Sequence, residues 1–165
     1  MREKIAKYAK ELTLFFVIML IFANILSFYR SLDLNKNSLD LGSLNILYNH
    51  PYTLEKEKPL AIYFWGSWCP ICKVQSPNIQ TISKSFNVLS VAVKSGDDDE
   101  IKEYLKSRDL DFDTINDYDG SLAKKFGVTI FPSVIIFDKD KNEVFSDVGY
   151  TSTIGLWIRL FFASL

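Results

Sequence analysis

The chain has 165 residues, 48% of them hydrophobic, and a formal net charge of −1, which suits one domain with a true core plus an appendage. Two cysteines exclude a disulfide-rich scaffold, and a single histidine, His50, leaves too few ligands for a four-coordinate zinc site. After Arg30, fourteen basic residues face eighteen acidic ones, a balance of about −4, so the basic footprint of a nucleic-acid binder is missing.

At the amino end, Arg2, Lys4, Lys7 and Lys10 precede Leu12 to Tyr29, a run without charge that Arg30 closes. Eighteen residues at ~1.5 Å rise cover about 27 Å, close to the ~30 Å hydrocarbon thickness of a bilayer. Residues 1–30 therefore read as a cytoplasmic amino terminus followed by one transmembrane helix, oriented by the positive cluster. A cleaved signal peptide is the competing reading, and Ile21-Phe22-Ala23 is a poor small-x-small cleavage site for it. Either reading exports the rest. Residues 31–43, polar and rich in Asn, Asp and Ser, read as a linker, and residues 44–165 as the domain.

Within the domain, Leu44 to Tyr48 is a candidate first strand. Leu60 to Trp65, apolar and bounded by Pro59 and Gly66, has the pattern of a buried strand that delivers the chain to Cys69 and Cys72. Pro70 to Phe86 carries helix signals, with Pro77 expected to kink it. Val88 to Val93 is a second buried strand. The acidic run Asp97 to Glu100 then opens a helix over Ile101 to Ser107 whose stripe is Ile101, Tyr104 and Leu105. A short strand at Phe112 to Ile115 and a helix at Ser121 to Phe126 follow. Val134 to Phe137 and Glu143 to Val148, joined by Asp138 to Asn142, make a hairpin, and Ser152 to Ala163 is a closing helix too short to cross a bilayer. Strand, helix, strand, helix and then a hairpin predict an α/β domain with a mixed central sheet.

The chemistry concentrates in Trp68-Cys69-Pro70-Ile71-Cys72-Lys73. With Pro70 at the first helical position, Cys69 sits at the helix amino end and Cys72 one turn inside. Free amides aimed at the Cys69 sulfur favour thiolate over thiol, lowering its pKa from a reference near ~8.5. Cys72 lies within the ~4.4–6.8 Å Cα spacing that a disulfide allows, so Cys69 is the expected attacking sulfur and Cys72 the resolving one. Lys73 in place of histidine excludes c-type haem attachment. Two other readings remain: a structural crosslink, which would remove little chain entropy over so short a loop, and Cu(I) held by two thiolates.

Phe64-Trp65-Gly66-Ser67-Trp68-Cys69-Pro70-Ile71-Cys72-Lys73 resembles the active-site segment of the thioredoxin-like superfamily. Pro77 falls where those proteins kink the active-site helix, Ile130-Phe131-Pro132-Ser133 resembles their cis-proline loop, and Gly149 follows the hairpin as it does there. The inserted strand and helix between Val93 and Asp119 and the amino-terminal anchor are similar to the exported TlpA/ResA/CcmG branch. Cys-Pro-Ile-Cys, Ser95-Gly96-Asp97-Asp98 and the ending from Gly149 to Leu160 look most like ScsD-type protein disulfide oxidoreductases. The resemblance implies a three-layer thioredoxin-like fold. Cys69 and Cys72 would be catalytic, with Trp68, Pro70, Ile71, Phe131 and Pro132 supporting them, Pro132 being cis and shaping the substrate groove. No dissociable cofactor is implied.

The partners implied are protein disulfides or dithiols, the membrane through the amino-terminal helix, and an electron donor of the DsbD type. The expected place is the bacterial inner (cytoplasmic) membrane, with the domain in the periplasm or an equivalent extracytoplasmic space. The expected activity is disulfide exchange with exported proteins, of a reductase or copper-stress-linked kind; the alternatives are a non-catalytic binding module of the same fold and a Cu(I) carrier. One position departs from the pattern. Where thioredoxins keep a buried aspartate six residues before the first cysteine, this chain has Tyr63, a poor base at neutral pH, which leaves the resolving thiol's proton to Lys94, a water or another acid.

Overall fold

The computed structural model describes residues 10–15, 17–19, 22, 47 and 54–165. Leu60–Trp65 forms β1, and all six of its residues are buried. Alternation sends Ala61, Tyr63 and Trp65 into one apolar cluster and Leu60, Ile62 and Phe64 into another, so the strand has no solvent face and occupies the middle of the sheet. The elements that follow are α1 (Pro70–Ser83), β2 (Asn87–Val93), α2 (Asp98–Lys106), β3 (Thr114–Asp117), α3 (Ser121–Lys125), β4 (Ser133–Phe137), β5 (Glu143–Val148) and α4 (Thr153–Ala163).

The strand order is β3-β2-β1-β4-β5. β1 pairs parallel with β2, and β2 with β3, whereas β4 runs antiparallel to β1 and to β5, so the sheet is mixed as expected. Helices α1, α2 and α4 cover the Tyr63–Trp65 face through Cys72, Ile79, Ile82, Ile101, Leu105, Leu156 and Leu160. The other face is closed by Ala123 of α3 with Phe126 and Val128. Helices on both faces of one sheet make the three-layer α/β architecture.

Three boundaries differ from the sequence reading, each for a local reason. α1 ends at Ser83, and Phe86 leaves the helix to pack its ring 6.0 Å from Trp157. α2 begins at Asp98 because Asp97 and Glu100 form a reciprocal capping box, with the Asp97 carboxylate accepting from Glu100 N–H and the Glu100 carboxylate from Asp97 N–H. β3 lies two residues later than expected. Phe112 plugs the core edge-on to Tyr63, and the strand runs on through Asn116 and Asp117. The Asp117 carboxylate accepts the amides of Leu122 and Ala123 at 3.0 and 2.9 Å, so a buried acid here caps α3.

Of the proposed strand at Leu44 to Tyr48, only Leu47 is among the described residues; its N–H donates to Thr114 O at 2.9 Å. The rest of that strand, the linker 31–43 and His50 lie outside the described residues. Residues 10–15, 17–19 and 22 are helical and exposed, and among the described residues no helix is long and apolar enough to cross a membrane. The rest of the expected span at 12–29 lies outside them.

The segment leading into β1 is held by Asn87. Its side chain accepts from Glu55 N–H at 3.0 Å and donates to Glu55 O and Lys58 O at 2.9 and 3.0 Å. Asn87→Ala strands three backbone groups at once. At ~1 kcal/mol per hydrogen bond, it should lower stability by about 2–3 kcal/mol, seen as a lower urea midpoint with an unchanged slope.

Candidate active site

Cys69 stands where β1 has ended and α1 begins. Gly66 O accepts the Cys69 N–H at 3.0 Å in a tight turn, and Cys69 itself is the helix N-cap, with extended backbone and Pro70 at the first helical position. Its sulfur accepts the Cys72 N–H at 3.2 Å, the role that a serine or aspartate oxygen plays at other helix starts. The two cysteines are joined in a disulfide with Cα atoms 5.2 Å apart. Cys69 is 5% exposed and Cys72 fully buried, so Cys69 is the sulfur an incoming group can approach.

The surroundings are apolar and aromatic. Trp65 is a core residue whose indole N–H donates to Ser90 Oγ at 3.1 Å. Trp68 is half-exposed, donates to Val93 O at 3.2 Å, and meets the Phe131 ring edge-on at 5.5 Å. This contact brings the 130–133 loop beside the cysteines. The Phe131–Pro132 peptide is cis, and Pro132 O accepts Gly149 N–H at 2.8 Å. Pro70 and Ile71 both face solvent.

Two features were not visible in the residue pattern. Gly66 lies under the Trp68 indole: a Cβ there would sit 2.5 Å from Trp68 Cε2. Gly66→Ala should therefore push the ring off Val93 O and Phe131, costing about 1 kcal/mol. Trp68 emission should shift to the red, and urea denaturation should show the loss. Ser95 is the second feature: its hydroxyl accepts Ser67 N–H at 3.0 Å and donates to Val93 O at 3.1 Å, tying the turn before Cys69 to the end of β2.

Behind Cys72, the Tyr63 hydroxyl lies 3.2 Å from both Cys72 O and Ser76 Oγ, and Ser76 Oγ donates to Cys72 O at 2.9 Å. The helix spacing of 72 to 76 allows that last contact, but only the fold brings Tyr63 to it. Burial pushes the Tyr63 phenol far above its ordinary value, more than the Ser76 hydrogen bond pulls it down. It stays protonated and is no base. Lys94 carries its side chain to the loop at Gly120, beside Asp119. Asp147 is buried on β5 and paired with Arg159 Nε at 3.0 Å; burial raises its pKa and the guanidinium lowers it, with burial the larger effect. Among the described residues no group of three or more His, Cys, Asp or Glu could hold a metal ion.

A model of the thioredoxin-like family matches residues 57–144. The chain is 33% identical over 164 residues to a thioredoxin-like protein of Haemophilus influenzae, a match covering 97% of each chain. Over 93 residues it is 30% identical to the thiol-disulfide oxidoreductase ResA of Bacillus thuringiensis subsp. konkukian, spanning 54% of each chain, about half of that relative. Among solved structures, MTB dsbF in its mixed oxidized and reduced forms superposes with a TM-score of 0.63 at 26% identity, covering 73% of this chain and 93% of that one.

Proposed function

Because this chain belongs to the thioredoxin-like family and is a protein disulfide oxidoreductase, we propose that Cys69 exchanges disulfides with exported proteins and that Cys72 resolves the intermediate. The observation that carries this is the Cys72 amide aimed at the Cys69 sulfur on the N-cap of α1. In the reducing direction, the Cys69 thiolate attacks one sulfur of a substrate disulfide. A mixed disulfide forms and the other substrate sulfur leaves as a thiolate, which takes up a proton. Cys72, deprotonated, then attacks Cys69 Sγ, so the Cys69–Cys72 disulfide closes and the second substrate thiol departs. Two electrons pass from the enzyme pair to the substrate.

Pro70 and Ile71 set the poise of the pair, and Trp68, Phe131 and Pro132 form the wall against which a substrate chain lies. No dissociable cofactor takes part. The oxidised pair is returned to dithiol by a protein donor, of the DsbD type in the reductase reading. A copper-stress-linked role is the second reading, supported by the likeness of Cys-Pro-Ile-Cys to the ScsD-type pair. The uncharged run at 12–29 and its flanking cations support a single-pass inner-membrane anchor with the linker 31–43 and the domain outside.

The purified chain should accelerate dithiothreitol-driven reduction of insulin disulfides. Turnover no faster than dithiothreitol alone would leave a binding module or a Cu(I) carrier, and Cu(I) titration with a chromophoric competitor would separate those two.

A further inference from the structure

The outer face of α4 is built unlike a solvated helix surface. Ile154, Trp157, Ile158, Phe161 and Phe162, with Leu165 just beyond, are all exposed, Leu165 by 80%. The helix has one charged residue, Arg159, and it is consumed internally: Nε pairs with Asp147 at 3.0 Å and Nη1 donates to Gly155 O at 3.0 Å. A contiguous aromatic and aliphatic face with no free charge is a surface that something covers.

The sheet fixes where this face lies relative to the cysteines. β1 and β2 run in parallel toward the cysteines, so Leu60 and its partner Asn87 mark the opposite end of the sheet. Glu55, held on Asn87, leads into β1 at that opposite end, and Leu47 before it bonds Thr114 O at the start of β3. α4 descends to the same end: Thr153 bonds Asn78 in the middle of α1, and Trp157 packs on Phe86, next to Asn87. Trp157 stacks on Phe161, which meets Phe162 edge-on, continuing the aromatic row away from the active site.

We infer that the outer face of α4 seats on the lipid bilayer beside the anchor, holding the sheet along the membrane with Cys69 open at its edge. This rests on the anchored reading above. The tether 31–43 extends to at most ~47 Å at ~3.6 Å per residue, so the domain remains within reach of the lipid surface and weak apolar contacts suffice. Trp and Phe are the residues that settle at the headgroup boundary, and a helix lying in that plane buries one apolar face. Since the face is uncharged, the seating is insensitive to salt.

The full chain reconstituted into phosphatidylcholine vesicles with brominated acyl chains tests this. Expected is co-flotation that survives a carbonate wash, together with bromine quenching of tryptophan emission that is unchanged at high salt and absent in Trp157→Phe. Trp68, at the other end, remains to report the fold. A doubly charged variant, Ile158→Glu with Phe162→Glu, should lose the quenching while insulin reduction stays at the unaltered rate. Failure to float overturns the anchor and the seating together. Flotation without Trp157-dependent quenching leaves the anchor and overturns the seating. Trp157 burial that appears only as protein concentration rises, with dimers in sedimentation, assigns the face to a second copy and also overturns it.

Discussion

Cys69→Ser is expected to reduce insulin-reducing turnover by roughly three orders of magnitude or more, the scale on which removal of a nucleophile acts. The argument rests on access and on electrostatics. Cys69 alone of the pair reaches the surface, and the helix-start amide of Cys72 points at its sulfur, so it is both approachable and the better thiolate. Cys72→Ser should behave differently. The first attack survives and the release fails, so a mixed disulfide accumulates and is visible on a non-reducing gel. In the reduced protein, iodoacetamide should modify Cys69 well before Cys72, and lowering the pH should slow that reaction as the thiolate is protonated. Equal loss in the two variants with no trapped adduct, or faster alkylation of Cys72, would contradict the assignment.

Much of this arrangement is written in local sequence. Pro59 and Gly66 bracket β1, its six apolar residues demand burial on both faces, and Pro70 fixes where α1 can start, so the position of the cysteines follows without tertiary information. The hairpin of β4 and β5 is equally plain, because its polar connection separates two strand-like runs. β3 is harder, since Asn116 and Asp117 are turn formers by propensity, and it is their backbone pairing with Ala92 and Val93 of β2 that makes them strand residues while the Asp117 carboxylate caps α3. The contacts of Ser76 with Tyr63 and of Arg159 with Asp147 join residues whose proximity the fold decides. Periodicity marks such positions as buried or exposed and is silent on which polar atoms meet. The composition of α4 likewise announced surplus apolar surface, yet the direction that surface faces relative to the cysteines needed the sheet.

Tyr63 stands where the thioredoxin pattern has a buried aspartate, and substitutions there should separate its structural from its acid–base consequences. Tyr63→Asp should destabilise the domain by about 3–5 kcal/mol at neutral pH. It removes a fully buried ring stacked 6.5 Å from Trp65 and edge-on to Phe112, and it places a carboxyl in the same apolar site. Burial raises the introduced carboxyl above its unfolded value of ~3.9. The native state then binds more protons than the unfolded one, so stability is retained below that pH and falls as the carboxyl ionises. Turnover should gain an inflection in the same window, because an ionisable group now lies behind Cys72. Tyr63→Phe keeps the ring and loses only the hydroxyl bonds to Cys72 O and Ser76 Oγ, costing about 1 kcal/mol. It also exposes the alkaline signature of the native residue. Because burial raises the Tyr63 phenol above ~10, the unaltered protein should lose stability above that pH by about 1.4 kcal/mol per unit from this group alone. Tyr63→Phe should lack that component, so urea midpoints of the two proteins converge as pH climbs past 10. Midpoints that fall in parallel would mean that Tyr63 ionises as freely in the fold as in the unfolded chain, contrary to its place behind Cys72.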